Sequence, residues 1–366
     1  MTVAAAPTAL TDRSPLPGTH LDEIAADAAR VDAERVDLRP AVRRILTGGG
    51  LHRGTDGVAT QAAVIAEVAG RCMSTAFSLW GHRMAVEYLD RFGGPEQSGR
   101  LADVVAGVRP GVSAMGASFK HLAQLRAGVP PAGLGIRARR DDSGGPGGTD
   151  LILDGFAPYA TNLHPDAVVV IGAHLVEENG VTDVVLAIDL DQPGVEVREA
   201  TDLLALNSTT SGSVRLDGVR VPATAVLPTP FEDLVGGVRG VFLVLQSAFC
   251  LGHAAGSLAH ADGPGGPFAD EIAARRADQD RLAGTLGDLA TGAHAAADHT
   301  EYLRVRLESM EQAQASAQLA LCLTGGRGYA RTHPVARGLR EAAFLPVQAP
   351  TKGQLLWELQ SLNSAA

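Results

Sequence analysis

Apolar residues recur at helical spacing from His20 to Leu46, in LDEIAADAARVDAERVDLRPAVRRIL, with charged residues between them and an interruption at Pro40. That pattern predicts an amphipathic helix pair. GGGLHRGTDG breaks it, and VATQAAVIAEVAGRCMSTAFSLWGHRMAVEYLDRF resumes it, Ala-rich and apolar on most faces, as expected of a run inside a bundle. The chain should therefore be all-helical to about residue 110.

The period then changes. AGLGIRARR, TDLILDGFAPYA, DAVVVIGAHL, DVVLAIDL, GVEVRE and GSVRLDGVRVP are short, rich in Val, Ile and Leu, and separated by Gly, Asp, Asn and Pro turns. They predict an antiparallel β unit, with RRDDSGGPGGTD as an exposed hairpin loop. After Leu227 the helical period returns and runs through two long segments split by DGPGGP at 262–267. No strand–helix alternation suited to a parallel sheet is present, and no internal repeat of fixed period is visible.

The expected architecture is α+β and multi-domain. It comprises a flexible arm at 1–18, an N-terminal helical domain at 19–110, a barrel-like antiparallel β domain at 111–230 and a C-terminal four-helix bundle at 231–366.

Composition narrows the function classes. The 366 residues are 45% hydrophobic and 20% charged, ordinary for a globular chain. A net charge of −10, with no dense basic run, argues against a nucleic-acid partner. The N-terminus does not resemble a secretion signal, and no charge-free apolar run of membrane-spanning length stands out, so a cytoplasmic protein off the membrane is expected. Cys72, Cys250 and Cys322 lie far apart in apolar surroundings without metal-ligand spacing and read as buried, reduced thiols.

At the level of motifs the chain resembles the acyl-CoA dehydrogenase superfamily of flavoproteins, over roughly residues 20–360. LDGFAPYATN (153–162) resembles the family's G-x-K-x-W-I-T-N strand. VRLDGVRVPATAVL resembles its V-x-F-x-x-V-x-V-P exit from the β domain, and GGRGYARTHPVARGLREA its GGxGY…P-x-x-R-x-x-R-D-A segment. The resemblance implies an FAD cofactor, with FMN or reductase-supplied reduced flavin as the alternative, and a homodimer or homotetramer paired through C-terminal helices. It places Tyr159 against the flavin ring in place of the usual Trp, and aims the Thr161 hydroxyl at the N5 edge. Gly325 and Gly326 would offer close backbone approach to phosphate or adenine, and Thr351 would join the cofactor contacts. Arg337 and Arg340 are expected to bond helix ends or carboxylates.

Departures from the pattern bear on the reaction. Dehydrogenases of this family abstract an α-proton with a carboxylate. Counting from LRE, the usual position of that glutamate is Ala349, and the alternative position falls near Phe242. Neither takes a proton, and between Glu341 and Glu358 no side chain titrates near neutrality. In a second branch, monooxygenases fed with reduced flavin by a partner reductase, several members carry a His at the position of Gln348. Gln348 could orient a substrate or oxygen species by hydrogen bonding, or simply face solvent.

The family's T-E-P-x-x-G-S-D grip is replaced by SAMGASFKH, which keeps only Ser113 and Ser118 as small polar candidates. The segment carrying a phosphate-directed arginine looks shortened. A lost charge-assisted contact costs about 1.5–3 kcal/mol, so weak or transient flavin binding is an open expectation.

Other polar groups say less. His82 reads as a satisfied core histidine. His164 lies in a turn before Pro165, and His253 and His260 are too far apart for a one-turn metal pair. The sequence thus points to a flavin-dependent oxidoreductase without the usual glutamate, acting on a small organic or acyl-thioester substrate. The expected reaction is that of a monooxygenase using reduced flavin or of an atypical acyl-thioester dehydrogenase. The rival is a non-catalytic subunit paired with an active paralogue.

Overall fold

The computed structural model describes residues 14–141, 150–261 and 266–365. Most of the expected N-terminal arm, the tip of the hairpin loop at 142–149 and most of DGPGGP lie outside the described residues.

Two compact units form. The first takes in residues up to Trp80, Asp202–Ser208 and Arg239 onward, and the second takes in Gly81–Thr201 and Thr209–Val238.

In the first unit, α1 (Gly18–Ala33) buries Leu21, Ile24, Ala28 and Val31, the three- and four-residue spacing of one helical stripe. Pro40 does not interrupt a helix. It sits in the first turn of α2 (Arg39–Ile45), where its missing N–H leaves no intrahelical bond unmade. The Ala-rich run divides into α3 (Gly57–Ala69) and α4 (Met73–Phe92), and α4 ends in the second unit.

Among the described residues, the expected C-terminal helical region consists of α7 (Phe231–Leu258), α8 (Ala269–Gly292), α9 (Thr300–Thr324), α10 (Pro334–Phe344) and α11 (Lys352–Ala365). α9 packs against α8, α10 and α11. α7 is long and apolar enough to cross a membrane, which the sequence reading overlooked at the uncharged run 241–258, and 94% of its apolar window is buried.

The second unit adds α5 (Ser98–Val105), α6 (Gly116–Arg126) and a seven-stranded sheet. Its strands are β1 (Gly111–Ala114), β2 (Ile136–Arg140), β3 (Asp150–Ala160), β4 (Val168–Glu177), β5 (Gly180–Asp189), β6 (Val195–Glu199) and β7 (Gly212–Pro222). Leu151, Leu153, Val219 and Val221 face one core, with Leu151 opposite Val221 and Leu153 opposite Val219.

The all-antiparallel, barrel-like expectation needs correction, because the sheet is mixed. β1 lies parallel to the first half of β4 and β2 parallel to its second half, while β5 pairs antiparallel along its whole length. β6, at the far end of the order, pairs only with β7 among the described residues, so no closure is seen. The physical cause is α6, which carries the chain from β1 to β2 and returns it in the same direction.

Candidate functional site

In the second unit, β3 leads to the first group of candidate residues. Its pairing with β7 is irregular between Leu153 and Gly155 and again between Ala157 and Ala160. Such irregularities re-aim side chains, and Tyr159 lies within the second one. Tyr159 is 88% exposed, an aromatic face left open by the described residues.

The next residues turn inward. Thr161 is buried and its Oγ1 donates to the Thr209 carbonyl at 3.0 Å, so in this arrangement its proton is committed within the unit. Asn162 adopts a left-handed backbone (φ 62°), which Asn tolerates, and its Nδ2 donates to the Gly111 carbonyl at 3.1 Å. A Cβ at Gly81 would meet Thr161 Cγ2 at 2.8 Å, so only glycine lets α4 pass this turn so closely.

Ser113 and Ser118 are not brought together. The Ser113 hydroxyl lies 2.9 Å from that of Tyr88, and Ser118 is buried on α6 beside Met115 Sδ and the backbone of Gly172. His82 is the satisfied core histidine that was expected. Its Nε2–H donates to Val104 O and its Nδ1 accepts from Gly111 N, which assigns the neutral tautomer, and burial pushes its pKa down to about 4.

In the first unit, Gln348 is held by a residue that the sequence reading missed. Arg306 on α9 is fully buried, and its guanidinium donates to Gln348 Oε1 (2.9 Å), Gln246 Oε1 (3.2 Å), Leu345 O (3.4 Å) and Cys250 Sγ (3.5 Å). None of these is a carboxylate, and burial lowers its pKa. Gln348 is therefore turned inward, with its Nε2 on the Ala349 carbonyl at 2.9 Å, where Gln246 Nε2 also donates. The Thr351 hydroxyl accepts from Gln354 N at 3.2 Å and starts α11.

Aromatic rings line the adjoining core. Phe77 stacks on Trp80 and meets Phe249 and Phe344 edge-on, while Trp80 meets Phe242 and Phe249. Trp80 is 4% exposed and its Nε1–H has no hydrogen-bond partner, an orphaned donor of the kind that signals a missing acceptor.

Gly325 ends α9 at φ 65°, and among the described residues nothing beyond the adjoining backbone comes within 4 Å of a Cβ built on Gly325 or Gly326, so there is open space beside both. Arg337 and Arg340 act as expected of them. Arg337 Nη2 donates to Arg71 O at 3.2 Å, and Arg340 bonds Arg331 O and the Asp32 carboxylate.

Glu341 changes the picture drawn from sequence. It is buried, and desolvation raises its pKa to about 7, with Arg337 and Arg340 opposing and Asp32 reinforcing the shift. A group titrating near neutrality thus stands at the start of the stretch thought to have none.

No family model matches the sequence, and no curated protein aligns with it. Solved structures do match. Butyryl-CoA dehydrogenase from Megasphaera elsdenii superposes with a TM-score of 0.80 at 18% identity, covering 98% of this chain and 99% of that one. The fold is that of the acyl-CoA dehydrogenases. Glutaryl-CoA dehydrogenase from Mycobacterium smegmatis, solved in complex with FADH2, gives 0.73 at 19% identity over 94% and 95% of the two chains. Dibenzothiophene monooxygenase from Paenibacillus sp. A11-2 gives 0.68 at 19% identity over 97% and 96%, so the same acyl-CoA dehydrogenase fold also carries a monooxygenase.

Proposed function

We propose that this chain is a flavin-dependent oxidoreductase acting on a small organic or acyl-thioester substrate, by a reaction that takes no proton-transfer group from the loop 345–351. One observation carries the reading. Gln348, next to the position Ala349 to which the resemblance assigns the usual glutamate, is a neutral amide held by the buried Arg306.

The residues present fit a flavin ring better than they fit a pyrophosphate. In the second unit the exposed Tyr159 face suits stacking on a planar ring, and in the first unit, taken by itself, the open Gly325–Gly326 backbone suits an acceptor-rich group. Ser113 and Ser118 are engaged inside their own unit, which supports weak FAD binding, or FMN or reduced flavin delivered by a partner reductase. A bound flavin supplies the electron chemistry, including reaction with oxygen when reduced. In the second unit Tyr159 would supply a stacking face, and in the first Arg306 holds the loop.

Oxygenation is favoured over α,β-dehydrogenation, which couples hydride transfer to a base that the loop lacks. A homodimer or homotetramer accompanies the reading.

The test is to titrate the purified chain with FAD and FMN, then supply reductase-reduced flavin, oxygen and candidate substrates. Saturable flavin binding with substrate-coupled oxygen consumption is the expected result, and absence of flavin binding in every form overturns it. The commitment of the Thr161 hydroxyl to Thr209 favours a second reading, a non-catalytic subunit of an active paralogue. That reading gains if the chain binds no flavin alone yet copurifies with a flavoprotein of the same fold.

A further inference from the structure

Asparagine is scarce in this chain, at Asn162, Asn179, Asn207 and Asn363. It rearranges when the backbone nitrogen of the next residue reaches its side-chain carbonyl carbon, so the following residue and the hold on the amide decide which site reacts. Asn162 is buried, its Nδ2 donates to the Gly111 carbonyl at 3.1 Å, and Leu163 follows it. Asn207 is clamped at both ends of its amide, with Oδ1 accepting from Leu203 N at 2.9 Å and Nδ2 donating to Leu203 O at 2.8 Å, and Ser208 follows it. Asn363 lies in the last turn of α11 and precedes Ser364.

Asn179 differs from all three. It is exposed, its amide makes no hydrogen bond among the described residues, and Gly180 follows it.

The fold imposes that glycine. Glu178 and Asn179 alone join β4 to β5, with Glu177 opposite Gly180 as the closing rung. Gly180 sits at φ 141°, a backbone conformation that residues with a Cβ rarely adopt. Its nitrogen is therefore unhindered by a side chain of its own, and among the described residues nothing beyond the adjoining backbone comes within 4 Å of a Cβ built there. For the nitrogen to move, only the closing rung has to open. The end of a hairpin is the cheapest place to break pairing, while nine further rungs, from Val176–Val181 to Val168–Asp189, hold the rest in register.

We infer that Asn179 is a site of spontaneous covalent modification, with the chain's own Gly180 nitrogen as nucleophile and water as the second reactant. The nitrogen bonds to Asn179 Cγ as the Cγ–Nδ2 bond breaks, and its proton leaves with the amide group as ammonia. Water then opens the five-membered imide. Addition at Cγ gives aspartate, and addition at the main-chain carbonyl gives isoaspartate, whose peptide link runs through the former side chain. Nothing is oxidised or reduced.

Either product places a third carboxylate beside the exposed Glu177 and Glu178, where Arg140 already pairs with Glu177 at 2.7 Å. Isoaspartate also lengthens the two-residue turn by one main-chain atom, so the rung between Glu177 and Gly180 is the first to lose its register. The site lies wholly within the second unit and does not depend on flavin.

The full chain is incubated at mildly alkaline pH, and two signals are followed. Peptide mass spectrometry locates the mass gain of exchanging NH2 for OH, and anion-exchange chromatography counts the more acidic species. Conversion at Asn179 should run at least about tenfold faster than at any other asparagine. Asn179→Gln keeps an amide at this exposed position but cannot close the five-membered ring, so it should keep the thermal midpoint and lose the leading acidic species. Isomerisation at Asp–Gly pairs leaves the charge unchanged and does not interfere. No conversion at Asn179 in the folded chain, a faster asparagine elsewhere, or an undiminished acidic species in Asn179→Gln would overturn the inference.

Discussion

Arg306 and Gln348 meet across 2.9 Å in the buried interior of the first unit, a full positive charge against a neutral amide. Removing the amide leaves a guanidinium N–H without its shortest acceptor. Gln348→Leu should therefore lose about 1–3 kcal/mol of stability in urea unfolding, and Gln348→Glu, which restores an acceptor, should recover most of it. An unchanged midpoint in Gln348→Leu would show that the contact carries no weight.

That pair also marks the limit of what the sequence made legible. Arg304 and Arg306 look alike in EYLRVRLESM, yet Arg304 is exposed and Arg306 fully buried. A signal was available, since Leu303, Arg306, Met310, Ala313 and Ala317 fall on one apolar stripe of α9, and a charge on such a stripe is a buried charge. The helical, β, helical order was legible because its segments are long and strongly periodic. β1 was not, because four residues are too few to show alternation, and the parallel pairing of β4 depends on connections that side-chain pattern does not encode. Tyr159 was identified as a candidate from a motif, and its exposure arises from an irregularity in β3–β7 pairing that no local sequence rule supplies.

Tyr159→Ala separates binding from folding. A side chain this exposed contributes little to the core, so thermal stability should stay within about 0.5 kcal/mol of wild type. Flavin affinity, measured by fluorescence quenching, should fall by roughly two- to tenfold, the worth of one aromatic stack. Equal flavin affinity in the two proteins would remove Tyr159 from the site.

Thr161→Val tests the opposite case. The hydroxyl donates to Thr209 O inside the second unit, and the isosteric change deletes only that bond, so a loss of about 0.5–1.5 kcal/mol in denaturant unfolding is expected. The absorption spectrum and affinity of added flavin should be unaltered. A changed spectrum at equal stability would mean that the hydroxyl serves the cofactor instead.

Glu341 and His253 shape stability against pH in opposite directions. Glu341 is raised to about 7, so its contribution is full below its unfolded value of 4.5 and is lost as pH rises to 7. His253 is lowered to about 4, so its contribution is full above 6.5 and is lost as pH falls to 4. Between 4.5 and 6.5 the folded and unfolded chains bind the same number of protons at these two groups, and their joint contribution is level. Glu341→Gln should remove the alkaline loss, gaining on wild type by on the order of 2–4 kcal/mol between pH 4.5 and 8. Thermal melts across that range decide it, and parallel curves for the two proteins would refute the buried carboxyl.

Of the three cysteines, Cys72 and Cys250 are buried, and desolvation raises both thiols, Cys250 to about 11, whereas Cys322 near the end of α9 is exposed, unlike the buried thiol expected there. Maleimide dyes and spin labels applied to the unaltered chain should therefore react at one position, three residues before Gly325. The molecule thus carries its own attachment point for a distance probe beside the open glycine backbone, with no engineering required.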